Sequence, residues 1–122
     1  MSLCLAAAGL VSTVAATTFS LSWTHSVERQ EWREEWRSTP AGLELVEARV
    51  RGSGAGMEPP QGSRLVGGWW VYEPDLPPIP RLVLASSGAT GGGWTFCAAG
   101  ECREIGDEAG DPVVIAPCDS PE

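Results

Sequence analysis

Residues 19–27 alternate strictly in polarity, and this alternation limits the possible fold more than any other feature of the chain. One parity carries the apolar side chains and the only histidine: Phe19, Leu21, Trp23, His25 and Val27. The other carries small or polar side chains: Ser20, Ser22, Thr24, Ser26 and Glu28. Successive side chains of a β-strand point to opposite faces. The pattern therefore predicts a strand over 18–27 whose buried face includes an imidazole.

The period of two continues over residues 31–37 and predicts a second strand. Trp32, Glu34 and Trp36 share one face. The opposite face alternates in charge, as suits a solvated sheet surface: Glu31, Arg33, Glu35 and Arg37. A helix is the competing interpretation, because Trp32 and Trp36 are also spaced i, i+4. The unbroken alternation favours the strand.

These two strands are expected to form a hairpin around Glu28 and Arg29. The expected pairing sets three positions of the first strand against three of the second: His25 with Trp32, Trp23 with Glu34, and Leu21 with Trp36. That pairing keeps the tryptophans on the apolar face.

The rest of the chain is predicted to be all-β, because fifteen glycines and ten prolines separate short alternating segments. The further predicted strands are 2–7, 10–15, 43–51, 64–66, 69–73, 81–86, 94–98 and 102–105. In 43–51, Val46, Ala48 and Val50 are expected to face inward, with a bulge near Leu45. We predict a small antiparallel β-sandwich or flattened barrel over residues 1–105. Residues 106–122 are predicted to be a mobile acidic tail.

The net charge restricts the possible partners of the protein, and the N-terminal residues restrict its cellular compartment. A net charge of −8 argues against nucleic acid and against an anionic membrane surface. The apolar run 3–16 is short for a membrane span and has no Lys or Arg before it, so two strands are favoured over a signal peptide. We therefore favour the cytoplasm; the periplasm is the alternative if residues 1–16 act as a signal.

The four cysteines do not follow a zinc-knuckle pattern, because no Cys-x-x-Cys pair occurs. Cys97 and Cys102 flank Ala-Ala-Gly-Glu, which is a plausible hairpin loop. They are expected to form a cross-strand disulfide in an oxidising compartment or to stay reduced otherwise, and both alternatives remain open.

Two segments carry a resemblance to a known family. Residues 23–28 read Trp-Thr-His-Ser-Val-Glu, and a Gly-Ala-Gly loop within 52–60 precedes Gly-Trp-Trp at 68–70. This order resembles a bacterial family of domains of unknown function, number eighteen-fifty, over roughly residues 3–105. Members are usually encountered beside genes for TAXI-type TRAP transporters, which take up organic acids. The resemblance implies a small β domain accessory to such a transporter and supplies no catalytic residues.

Candidate binding residues fall into three groups. His25 is a candidate pH-sensitive or ligand-binding group paired with Glu28 or Glu34, although a hydrogen-bonded core histidine is the favoured interpretation. The backbone N–H groups at Gly54 and Gly56 are a candidate anion-binding nest. The favoured alternative is a loop that needs glycine only for its conformation.

The third group is an apolar patch for a protein partner, formed by Met57 with whichever of Trp69 and Trp70 is exposed.

These features predict a non-catalytic interaction module. Ser26 lies beside His25 in sequence but on the opposite face of the strand, so no nucleophile with an oriented base is evident. No cofactor, metal or membrane span is expected. The expected partner is a transporter permease or its solute-binding protein. The alternative is a small-molecule or ion sensor that uses a buried His/Glu pair.

Overall fold

The computed structural model describes residues 2–7, 10–25, 30–52, 62–84, 93–106 and 110–118. All regular structure in these ranges is β. In chain order the strands are β1 (Ser2–Ala7), β2 (Leu10–Val14), β3 (Thr18–His25), β4 (Gln30–Thr39), β5 (Gly42–Gly52), β6 (Arg64–Val66), β7 (Trp69–Tyr72), β8 (Leu82–Leu84), β9 (Trp94–Ala98), β10 (Glu101–Ile105) and β11 (Val113–Cys118).

The strands form two antiparallel sheets packed as a sandwich. The small sheet has four strands in the order β2-β1-β11-β8, and the large sheet has seven in the order β10-β9-β3-β4-β5-β7-β6. None of the eleven described strands belongs to both sheets, so the fold is a sandwich rather than a flattened barrel. The predicted all-β class is confirmed, and so are the strands predicted over 2–7 and 10–15.

The core lies between the sheets and is rich in aromatic side chains. Leu3 and Ile115 of the small sheet are fully buried and belong to one cluster with aromatic residues of the large sheet. In that cluster Phe19 stacks on Phe96 at 5.4 Å and on Trp36 at 6.2 Å between ring centroids. Such rings bury large areas, which a small β domain needs for stability.

The β3–β4 hairpin has a different register from the expected one. The structure pairs Trp23 with Trp32 and His25 with Gln30, a shift of two residues from the predicted pairing. The shift is even, so every side chain keeps its predicted face. It sets tryptophan against tryptophan and phenylalanine against tryptophan, which gives more aromatic stacking than the predicted register.

The predicted bulge in β5 is confirmed, but it places Val46 on the opposite side from the one predicted. Opposite β4, the register shifts between Glu35 and Trp36, which pair with Glu47 and Leu45. Val46 is therefore the extra residue, and it is exposed rather than inward-facing as predicted. The bulge lets Leu43 and Leu45 join Ala48 and Val50 on the inner side.

The prediction of a tail over 106–122 is wrong for residues 113–118. These residues form β11, which lies between β1 and β8, and both Val113 and Ile115 are buried. The acidic composition of the segment concealed a short continuous apolar run, Val-Val-Ile-Ala at 113–116. Cys118 also forms a disulfide with Cys4, with 5.8 Å between the Cα atoms.

The second pair of cysteines resolves the alternative left open by the sequence. Cys97 and Cys102 lie directly opposite each other on β9 and β10 and form a disulfide. No cysteine of the chain remains free.

The outer face of the large sheet carries the predicted lattice of charges. Four ion pairs connect the arginines and glutamates of β4 and β5: Arg33–Glu35, Arg37–Glu44, Arg49–Glu47 and Arg51–Glu31. Their N–O distances lie between 2.8 and 3.1 Å. Since each of the four arginines is paired with a glutamate on its own face, none of them forms an ion pair with a residue of the inner face.

Candidate functional site

Four tryptophans and one valine form a row across the inner face of the large sheet. Trp94 contacts Trp23 edge-on at 4.7 Å between centroids, and Trp23 stacks on Trp32 at 6.1 Å. Trp32 pairs with Val50, and Val50 pairs with Trp70. Directly opposite residues of antiparallel strands share a face. We call Trp94, Trp23, Trp32, Val50 and Trp70 the tryptophan row.

The neighbouring row contains the one acidic residue at an inner-face position of β4. Glu34 lies between Leu21 on β3 and Ala48 on β5, and Ala48 pairs in turn with Tyr72. Along β4, Glu34 is flanked on the same face by Trp32 and Trp36. The Nε1–H group of Trp36 donates a hydrogen bond of 3.1 Å to Oε1 of Glu34.

The environment of Glu34 disfavours its charge. Burial raises the pKa of Glu34, and the hydrogen bond from Trp36 offsets only part of that increase. Burial also raises the pKa of Tyr72, and the nearby negative charge of Glu34 raises it further. The two groups therefore interact across the small side chain of Ala48. No cation of the described residues pairs with Glu34.

Glu34→Gln should stabilise the protein at pH 7 and not at pH 4. The folded protein retains the Glu34 proton at pH values where the unfolded chain has released it, so the free energy of unfolding falls as the pH rises above the ordinary value of 4.5. Glutamine removes this loss and keeps an acceptor for Trp36. We expect a gain of about 1 kcal/mol, or about 4 °C in Tm, at pH 7. Thermal denaturation at both pH values measures it.

The matched control is Glu35→Gln, on the same strand but on the outer face. It removes a half-exposed ion pair with Arg33, so we expect a loss below about 1 kcal/mol. If Glu34→Gln is less stable than the wild type at pH 7, our account of Glu34 is wrong.

His25 and Glu34 occupy distant positions in the register. His25 pairs with Gln30, whereas Glu34 pairs with Leu21, four residues earlier on β3. Four residues of a strand extend about 13 Å. The backbone therefore does not bring the two residues together. The imidazole itself, and the residues Glu28, Gly54, Gly56 and Met57, lie outside the part of the chain whose side chains are described.

Trp69 and Trp70 lie on opposite faces of β7, as the sequence predicts. Trp70 belongs to the tryptophan row. Trp69 lies on the outer face, where the Arg51 guanidinium carbon stands 4.3 Å from its ring centroid. Both side chains are half-buried.

The β6–β7 hairpin ends the large sheet with exposed apolar side chains. Gly67 and Gly68 form the tight turn of this hairpin, with φ values of 57° and 86°. On β6, Leu65 is 61% exposed and Val66 is 50% exposed.

Within the described ranges, no three His, Cys, Asp or Glu side chains are arranged to hold a metal ion. None of the described residues belongs to a helix long and apolar enough to cross a membrane.

The interactions of Glu34 with Tyr72 and Trp36 were not predicted from the sequence. Their face was predictable from the period of two. The proximity of Tyr72 to Glu34 was not, because it depends on the register of β4, β5 and β7. The Cys4–Cys118 disulfide was not predicted either. The sequence signal that could have indicated it is the apolar run that ends at Cys118.

One of three comparisons with known proteins supports the family named from the sequence, and none bears on its association with a transporter. No curated protein and no solved structure matches the chain. The family model described as "Domain of unknown function (DUF1850)" matches residues 19–105. The match includes nearly all of the large sheet, but only β8 of the small one. The chain therefore belongs to the DUF1850 family.

Proposed function

We propose that this protein is a non-catalytic interaction module of a TAXI-type TRAP transport system. It docks on the membrane permease or on the solute-binding protein. The transport association is supported by the resemblance carried by residues 23–28 and 68–70. The docking role is supported by the chemistry of one sheet edge.

The two edges of the large sheet differ in chemistry. The edge strand β10 exposes Glu101, Arg103 and Glu104, and charged side chains of this kind discourage strand addition. The opposite edge strand, β6, exposes Leu65 and Val66 beside one charged residue, Arg64. Exposed apolar side chains on an unpaired edge favour the docking of another chain. This asymmetry is the observation that carries the proposed function.

The disulfides support a location on the oxidising side of the membrane. Both cysteine pairs are bonded, and one pair joins residues 114 positions apart in sequence. Disulfides persist in the periplasm and outside the cell and are rare in the cytoplasm. We therefore propose the periplasmic alternative over the cytoplasmic one that the sequence alone favoured.

The register gives less support to a sensor that uses a His25–Glu34 pair. The two residues are about 13 Å apart along β3 and β4. Glu34 and its aromatic neighbours remain a candidate site of a different kind.

Leu65→Asp should weaken the docking. We expect at least tenfold less recovery of the permease or the solute-binding protein when each is co-expressed with the tagged variant, because the change places a charge in an apolar contact. Leu76→Asp is the matched control, since Leu76 is equally exposed, at 59%, in the connection after β7. Equal recovery by the wild type and Leu65→Asp would show that this edge does not dock.

A further inference from the structure

The inner face of β4 holds a carboxylate without a protein counter-charge. Glu34 accepts a hydrogen bond from Trp36 and forms no ion pair with any described residue. The arginines of β4 and β5 lie on the other face, each bound to a glutamate there. A buried carboxylate normally has a cationic partner or takes up a proton. Here that partner is not supplied by the described part of the chain.

Aromatic residues are the neighbours of Glu34 on this face of the sheet. Ala48 separates Glu34 from Tyr72 across β5, and its small side chain is itself buried. Trp32 and Trp70 occupy the next row on the same face. Ring faces attract cations, most strongly quaternary ammonium groups. A carboxylate among tryptophan and tyrosine rings is a combination that recognises an organic cation.

A second polar group on this face also lacks a partner. The Nε1–H of Trp32 is buried and donates no hydrogen bond to any residue that the structure describes. Leaving a buried donor unpaired costs about 1–3 kcal/mol, so such groups usually indicate a missing acceptor. Trp32 is two residues from Glu34 on the same face of β4. A ligand with both a cationic group and an acceptor would satisfy both residues.

We infer that the inner face around Glu34, Trp32, Trp70 and Tyr72 binds a small organic ammonium compound that also carries a hydrogen-bond acceptor. Glu34 provides the counter-charge, the rings enclose the ammonium group, and the indole N–H of Trp32 donates to the acceptor. Glu34 and Tyr72 are only half-buried, so the site retains access to solvent. This inference does not depend on the docking proposed for β6.

Titration of the whole chain with three probes tests the site. Glycine betaine carries a quaternary ammonium and a carboxylate, tetramethylammonium carries the cation alone, and tert-butanol is a neutral compound of similar shape. Calorimetry should give saturable binding of glycine betaine at millimolar concentrations or below. Tetramethylammonium should bind more weakly than glycine betaine, and tert-butanol at least tenfold more weakly than tetramethylammonium.

Glu34→Gln should reduce the affinity for glycine betaine at least tenfold, because it removes the charge and keeps the acceptor for Trp36. Glu35→Gln, on the outer face, should bind like the wild type. Thermal denaturation without ligand establishes that each variant is folded. The inference is overturned if the wild type binds neither cation, if Glu34→Gln binds as tightly as the wild type, or if tert-butanol binds as tightly as tetramethylammonium.

Discussion

Replacing Cys4 and Cys118 together by serine should lower the free energy of unfolding by about 5 kcal/mol. The disulfide joins residues 114 positions apart, and the entropy that a cross-link removes from the unfolded chain grows with the length of the loop it closes. It also connects β1 and β11, the two central strands of the small sheet. Since small domains are stable by only about 5–15 kcal/mol, this loss would leave the fold marginal. Urea denaturation under non-reducing conditions measures it.

The control is the double replacement of Cys97 and Cys102, which closes a loop with a separation of only five residues. The same relation gives about 2 kcal/mol for this pair. Equal losses for the two pairs would contradict the loop-length argument. Free thiols counted in wild-type protein isolated from the cell provide a further check. Four reactive thiols would contradict both disulfides and the oxidising compartment proposed from them.

Gly42→Ala should lower the free energy of unfolding by at least about 3 kcal/mol. Gly42 has a φ of 127°, which residues with a Cβ atom rarely adopt. An added Cβ would also overlap the carbonyl oxygen of Ile79 and approach its carbon to 2.9 Å. That backbone cannot move freely, because Leu43 and Ile79 exchange two hydrogen bonds of 2.7 and 2.9 Å. Leu43 is itself fully buried in the core.

Gly68→Ala separates the two contributions to this effect. Gly68 also has a positive φ, 86°, but nothing lies within 4 Å of an added Cβ. Only the conformational cost remains, which is about 1 kcal/mol. Urea denaturation of both variants gives the comparison. A loss at Gly42 no larger than that at Gly68 would show that the approach of Ile79 is unimportant.

Much of the large sheet was predictable because parity is a local property. The alternation over 19–27 and 31–37 placed Trp23, Trp32, Glu34 and Trp36 on one face, and the structure agrees. The register was not predictable, because a shift of two residues leaves every face unchanged. Yet the register decides which side chains touch. It builds the tryptophan row and places Glu34 between Leu21 and Ala48 instead of opposite Trp23.

The C-terminal residues also show that a local sequence pattern does not determine every strand. Acidic residues and prolines around 106–122 suggested a tail, although the strand that forms there spans only Val113–Cys118. A short apolar run gains little from its own sequence, and it becomes a strand because β1 and β8 supply partners on both sides.

By itself, therefore, the sequence determined the β class, the faces of β3 and β4 and the family, since these follow from the period and order of neighbouring residues. Only the tertiary structure decided the hairpin register, the place of β11, the Cys4–Cys118 bond and the aromatic surroundings of Glu34. Each of these depends on contacts between segments far apart in the chain, and such contacts leave no local pattern.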